Sequence, residues 1–236
     1  ASDVYKRQMY VSNYIGLILT QLISILKGSP VTNTMLEVAT SSNLWVNLFI
    51  MVLCAPVAEE LIFRKLLIDR LAQYGEGVAV LFSGLMFGLF HGNLNQFVYA
   101  FVLGLCFGFI YVKTGNIRYT IGLHMLVNFL GSVLGVAILK WLGDDFLSIA
   151  SDPAGMMSYM TGNFGKLIVY FIYIFLLLGV AIAGIILFIV NLKKIRFLPG
   201  MNTLPKGKRF STTVLNVGMA LYMIVWIVII IVQLFQ

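Results

Sequence analysis

The chain has 236 residues, 60% of them hydrophobic and 11% charged, with a mean hydropathy of +0.97. This composition excludes a soluble domain. The aromatics spread through every apolar run, and the absence of alternating ten-residue strands between turns, exclude a transmembrane β-barrel. The net charge of +7 does not point to nucleic acid, because the basic residues sit mainly at the ends of apolar runs, as the positive-inside rule requires. What is left is an all-α fold: a polytopic membrane helix bundle of about seven transmembrane helices, forming a single domain over 1–236 with the lipid bilayer as its surroundings.

Ala1 to Gln8 are polar, unlike the apolar residues that succeed them. Lys6 and Arg7 precede an apolar run without a small-residue cleavage pattern, so a retained first helix is expected from Met9 to Leu26 (9–26), stopped by Lys27-Gly28-Ser29-Pro30. Val31 to Asn43 reads as a loop with room for a short surface helix. A second helix runs from Leu44 to about Tyr74. At 1.5 Å per residue it is about 45 Å long, more than the roughly 30 Å of hydrocarbon, so it must tilt, kink or emerge. Pro56 is the expected kink, freeing backbone groups and opening space one turn before Glu59 and Glu60.

Gly75-Glu76-Gly77 make a turn, and a third helix covers Val78 to His91. After a break at Gly92 to Asn95, a fourth helix runs from Gln96 to Val112 and a fifth from Ile117 to Leu142, which closes a catalytic core of about 44–142. An acidic loop is expected from Gly143 to Gly162. A sixth helix (164–192) reads as scaffold. The linker Lys193 to Arg209 holds six Lys and Arg and no acid, and a seventh helix covers 212–234. That linker is expected on the cytoplasmic side, and alternation puts the Arg64 to Arg70 end there too. Cys54 and Cys106 have no metal-type spacing and read as small core residues. Gly84, Gly88, Gly104, Gly108 and Gly122 read as close-packing positions between helices.

Ionisable groups within apolar helices cost roughly 2.5 to 3.5 kcal/mol each on insertion scales, so those of the second helix need a reason. Glu60 and Arg64, four apart with the glutamate first, form a supporting ion pair. Glu59 points about 100° away, without a cationic partner on its own helix, which leaves it free to act as a general base. The two histidines, His91 and His124, both lie in apolar helices. Asn128 shares a helix face with His124, so the two present donors to one region. A carboxylate, two imidazoles and an amide form a set able to activate water and stabilise an oxyanion without a covalent nucleophile. Gln96, Asn93 and Asn95 read first as caps of the fourth helix and second as substrate contacts.

The order Glu-Glu-x-x-x-Arg (Glu59, Glu60, Arg64), Phe-x-x-x-His (Phe87, His91) and His-x-x-x-Asn (His124, Asn128) resembles the CAAX prenyl protease and bacteriocin-processing (CPBP, Abi) family. These proteins are relatives of the type II CAAX prenyl endopeptidases. The resemblance covers about Ala55 to Leu130 and implies an intramembrane glutamate-type endopeptidase acting on a peptide or membrane-protein substrate, without cofactor or metal, in a prokaryotic plasma membrane, and the charged loops place the opening of its site toward the cytoplasm. It further implies that Glu59, assisted by His91, activates water, that His124 and Asn128 stabilise the oxyanion, and that Glu60 and Arg64 support them. Two alternatives stand beside it. One is a metal-dependent hydrolase with Glu59, His91 and His124 as ligands. The other is a non-catalytic immunity or scaffold protein, or a small transporter.

Overall fold

The computed structural model describes residues 21, 23–24, 34–143, 146–149, 152–191, 195–202, 205–208, 211–212 and 215–235. Of the first expected helix, Gln21, Ile23 and Ser24 lie among them and are helical; the rest of 9–26 lies outside the described residues, as do Lys193, Lys194, Asp144 and Asp145.

Polar caps and glycines set the helix ends. A short helix, α1 (Thr34–Ser41), precedes α2 (Leu44–Tyr74), which starts where the Asn43 side chain accepts the Trp45 amide at 2.9 Å. Next comes α3 (Glu76–Phe90). After a corner at His91-Gly92-Asn93, the Asn93 side chain caps α4 (Leu94–Thr114) by accepting the Gln96 amide at 2.8 Å. Gly115 ends α4, and Asn116 caps α5 (Ile117–Leu142). Gly92 and Gly115 have φ of 65° and 63°, a left-handed conformation that costs a residue without Cβ little. The short α6 (Phe146–Ile149), α7 (Pro153–Asn191) and α8 (Val217–Phe235) complete the described helices.

The protein is a multi-pass, all-helical membrane bundle. Among the described residues, α2, α4, α5, the Ala154–Val180 part of α7, and α8 are long and apolar enough to cross a membrane. The 15 residues of α3 give about 22 Å, short of the roughly 30 Å core. Three expectations change. Much of the loop expected over Gly143 to Gly162 is helical, because Asp152 accepts the Ala154 and Gly155 amides at 3.1 and 2.9 Å and Pro153 opens the helix behind it. The break expected before Phe164 is only the non-helical backbone of Asn163, φ −128° and ψ 23°. Cys54 is exposed, on the outward apolar face that also carries Phe49, Ile50 and Leu53.

Three stretches of the long helices are π-helical: Asn47–Cys54 and Leu61–Ile68 in α2, and Phe129–Gly135 in α5. Each lends a carbonyl to a side chain from elsewhere. The Ala55 amide reaches back five residues to Ile50, and the next residue, Pro56, has no N–H, so the Met51 carbonyl has no donor in the ladder. Asn128 of α5 donates to it at 2.7 Å. Ser83 donates to the Phe63 carbonyl at 2.8 Å. Tyr173 donates to Leu130 at 2.8 Å, and Asn47 to Ser132 at 3.0 Å. Where lipid offers no hydrogen-bonding partner, wide turns thus turn backbone oxygens into inter-helix fasteners.

The core, including Phe63, Phe87, Leu103, Phe107 and Val127, lies where α2, α3, α4 and α5 meet. Gly84 and Gly104 let α3 and α4 approach: a Cβ on Gly104 would fall 2.7 Å from the Gly84 Cα. Gly122, by contrast, has nothing within 4 Å of a Cβ and is not a packing position.

Part of the basic linker, 195–202, docks on the turn between α2 and α3. The Glu76 amide donates to the Leu198 carbonyl at 3.1 Å, and the Leu198 amide to the Glu76 carboxylate at 2.9 Å. Asn202 holds Gln73 through main chain and side chain, at 2.9 and 3.0 Å. A Cβ on Gly200 would fall 2.0 Å from the Gln73 carbonyl oxygen. Beyond the linker, α8 lies along α3: the Tyr222 hydroxyl donates to the Met86 carbonyl at 2.7 Å, and Trp226 meets Phe90 edge-on at 5.2 Å.

Candidate active site

Glu60 and Arg64, both 0% exposed, lie 3.0 Å apart (Oε2 to Nε) in an ion pair whose alignment falls short of a hydrogen bond. The guanidinium lies over the rings of Phe87, 4.5 Å away, and Phe107, 5.6 Å away. Its remaining nitrogens have no hydrogen-bonding partner among the described residues, so the aromatic faces provide the rest of its electrostatic contact. The pair is embedded between helices, well beyond the local i,i+4 contact that the sequence supplies.

The other oxygen of Glu60 faces His124 Nδ1 at 3.0 Å. A carboxylate accepts, so Nδ1 carries the hydrogen, and Nε2 is left facing Glu59 Oε2 at 3.7 Å. The imidazole stands between the two glutamates of α2. Phe87 lies beside it at 5.6 Å and beside His91 at 4.9 Å, both edge-on, so one α3 ring spaces both imidazoles. His91 donates from Nδ1 to the Phe87 carbonyl at 2.8 Å, which leaves its Nε2 as an acceptor.

Glu59, His91, His124 and Asn128 all line one cavity of about 470 Å³. They come from α2, the α3–α4 corner and α5, and the structure brings all four to this one space. Asn128 is fastened by its bond to Met51, with its second N–H left over, so its amide and His124 are held by different partners within one wall. Glu60 and Arg64 stand behind that wall. Among the described residues, no three His, Cys, Asp and Glu side chains form a group that could hold a metal ion.

Several lining residues carry no signal in the sequence. Leu36 and Ala39 of α1, Met51 and Ala55 of α2, and Gly131, Ser132 and Val136 of α5 form an apolar wall. Tyr173 joins it from α7, the helix read as scaffold. The lining also includes Asn95, Gln96 and Tyr99 of α4. Asn93 caps α4 as expected, and it also donates to the His91 carbonyl at 2.9 Å and to Gln96 Oε1 at 2.6 Å. Gln96 in turn donates to the Tyr99 hydroxyl at 2.8 Å. The capping reading of this segment therefore holds for Asn93, while Asn95 and Gln96 line the cavity.

Comparison with known proteins points to the same stretch of chain. Residues 41–130 match the family described as type II CAAX prenyl endopeptidase Rce1-like. The chain is similar to the membrane-embedded CAAX protease MroQ of Staphylococcus aureus (strain USA300), at 26% identity over 62% of this chain and 59% of that protein. It is also similar to the membrane peptidase YdiL of Bacillus subtilis (strain 168), at 26% identity over 51% of this chain and 49% of that protein. The chain therefore spans about half to three fifths of these curated relatives. No solved structure matches.

Proposed function

Since residues 41–130 match the family described as type II CAAX prenyl endopeptidase Rce1-like, we propose that the protein is an intramembrane endopeptidase that hydrolyses a peptide bond with an activated water. The observation that carries this reading is the single cavity shared by Glu59, His91, His124 and Asn128. Glu59 takes a proton from water as its oxygen attacks the scissile carbonyl carbon. His91, bonded through Nδ1 to Phe87, offers Nε2 to orient that water. The tetrahedral oxyanion is met by the free amide hydrogen of Asn128 and by the imidazole of His124, held through Nδ1 on Glu60. Glu59 then passes its proton to the leaving amine, and the carbon–nitrogen bond breaks. Glu60 and Arg64 keep His124 in place.

The apolar wall suits a substrate drawn from membrane peptides, and the basic linker suits a site opening toward the cytoplasm. The test is quantitative proteomics of membrane peptides released by wild type and by Glu59→Gln, with thermal stability measured in parallel. The expected result is a loss of about a hundredfold or more in product from a variant that still folds. Release at the wild-type rate by Glu59→Gln would overturn the assignment of the base. Loss of release with no change in a separate partner-binding or protective role would limit the peptidase reading to one of two functions.

A further inference from the structure

The hydrogen bonds along the start of α4 run in one direction. The backbone amide of Gln96 donates to Asn93 Oδ1, which fixes the Asn93 amide with its nitrogen outward. That nitrogen donates to the His91 carbonyl and to Gln96 Oε1. Gln96 Oε1 is thereby an acceptor, so its Nε2 must donate, and it does so to the Tyr99 hydroxyl oxygen. The phenol oxygen is engaged as an acceptor, and the hydrogen it carries has no acceptor among the described residues. Tyr99 lines the cavity, with its ring 6.4 Å from that of His91. One turn earlier, Asn95 also lines the cavity; it is 4% exposed, and its amide has no hydrogen-bonding partner among the described residues.

Because both residues face the cavity, a primary amide and an oriented phenol without protein partners are open to complementary groups that a substrate brings in place of water. Leu36, Ala39, Met51, Ala55 and Val136 give the same cavity an apolar portion. An extended peptide offers what is missing at regular intervals: a carbonyl for the Tyr99 hydrogen, and both a carbonyl and an N–H for the Asn95 amide, which can donate and accept.

We propose that Tyr99 and Asn95 form a substrate-backbone-binding edge beside His91, with Asn93 and Gln96 as positioning residues that set the donor polarity of Tyr99. The edge takes the main chain of an extended peptide and is indifferent to its side chains. This inference rests on the peptidase reading and extends it to how the substrate is held.

The experiment uses a quenched fluorescent peptide library with the full chain in proteoliposomes, followed by kcat and KM for the member that wild type cleaves fastest. Tyr99→Phe removes one hydroxyl and keeps the ring. It is expected to raise KM about tenfold, equivalent to about 1.4 kcal/mol, with kcat within about threefold. Asn95→Ala is expected to do the same. Gln96→Leu should give part of the Tyr99→Phe effect in wild type and none in a Tyr99→Phe background, because it acts only through that hydroxyl. A merely structural role would lower thermal stability and leave KM alone. Tyr99→Phe and Asn95→Ala with wild-type KM, in a protein whose Glu59→Gln variant is inactive, would overturn the edge and leave the peptidase reading standing. Undiminished cleavage by Glu59→Gln, or no cleavage by wild type, would overturn the peptidase reading and the edge with it.

Discussion

Replacing Arg64 by Met keeps an unbranched apolar stem in the core and removes the guanidinium with its charge. Glu60, 0% exposed, then keeps its contact with His124 and loses the cation 3.0 Å from its second oxygen. Leaving half of a buried pair costs about 3 to 5 kcal/mol, and the contacts with Phe87 and Phe107 are lost as well. A chain of this size loses about 2 to 4 °C of melting temperature per kcal/mol, so a fall of roughly 6 to 20 °C is expected. The assay is heating in detergent followed by size-exclusion chromatography. The fall should not depend on salt, because the pair is shielded from solvent ions. Arg64→Lys should recover little, since a point charge cannot lie flat between two rings. Glu60→Gln added to Arg64→Met should recover at least half of the loss, because no unpaired charge remains. A fall of less than about 3 °C in Arg64→Met, or a double variant no better than the single, would refute the claim that this pair is a mutually dependent buried unit.

Glycine variants separate packing from propensity. Gly104→Ala pushes a methyl to within 2.7 Å of the α3 backbone and is expected to cost about 1 to 3 kcal/mol, whereas Gly122→Ala, with open space around it, is expected to be neutral or stabilising by thermal unfolding. Gly131 lines the cavity and has nothing within 4 Å of a Cβ, so Gly131→Phe is expected to fill the cavity without unfolding the protein. Its checks are wild-type thermal stability together with a loss of peptide release of at least tenfold; full activity would place the substrate elsewhere.

The sequence is a good guide wherever a local rule decides. Asn43, Asn93, Asn116 and the glycines at 75, 92 and 115 mark the boundaries of α2 to α5 to within about two residues, because capping and positive φ depend on a few adjacent residues. The i,i+4 spacing of Glu60 and Arg64 is legible for the same reason. The relation of Glu60 to His124 is not, since their contact joins α2 to α5. The π-helical stretches escape the apolar pattern because seven or eight residues are too few to fix its period. Tyr99 and Tyr173 are two of eleven tyrosines, and only the packing of α4 and α7 around one cavity sets them apart. Docking of 195–202 escapes for a different reason: its composition reads as a solvated basic linker, whereas its attachment depends on Gly200 fitting against the Gln73 carbonyl.

The packing of α8 on α3 bears on the order of assembly. The Phe90-His91-Gly92 corner leaves the ribosome long before Trp226, Tyr222 and Ile229, which lie against it and against the end of α3. Until those residues arrive, the backbone carrying one imidazole of the cavity lacks its contacts with α8. Completion of the bundle is thus timed by the last described helix to be synthesised, with the docked linker bringing that helix to its berth.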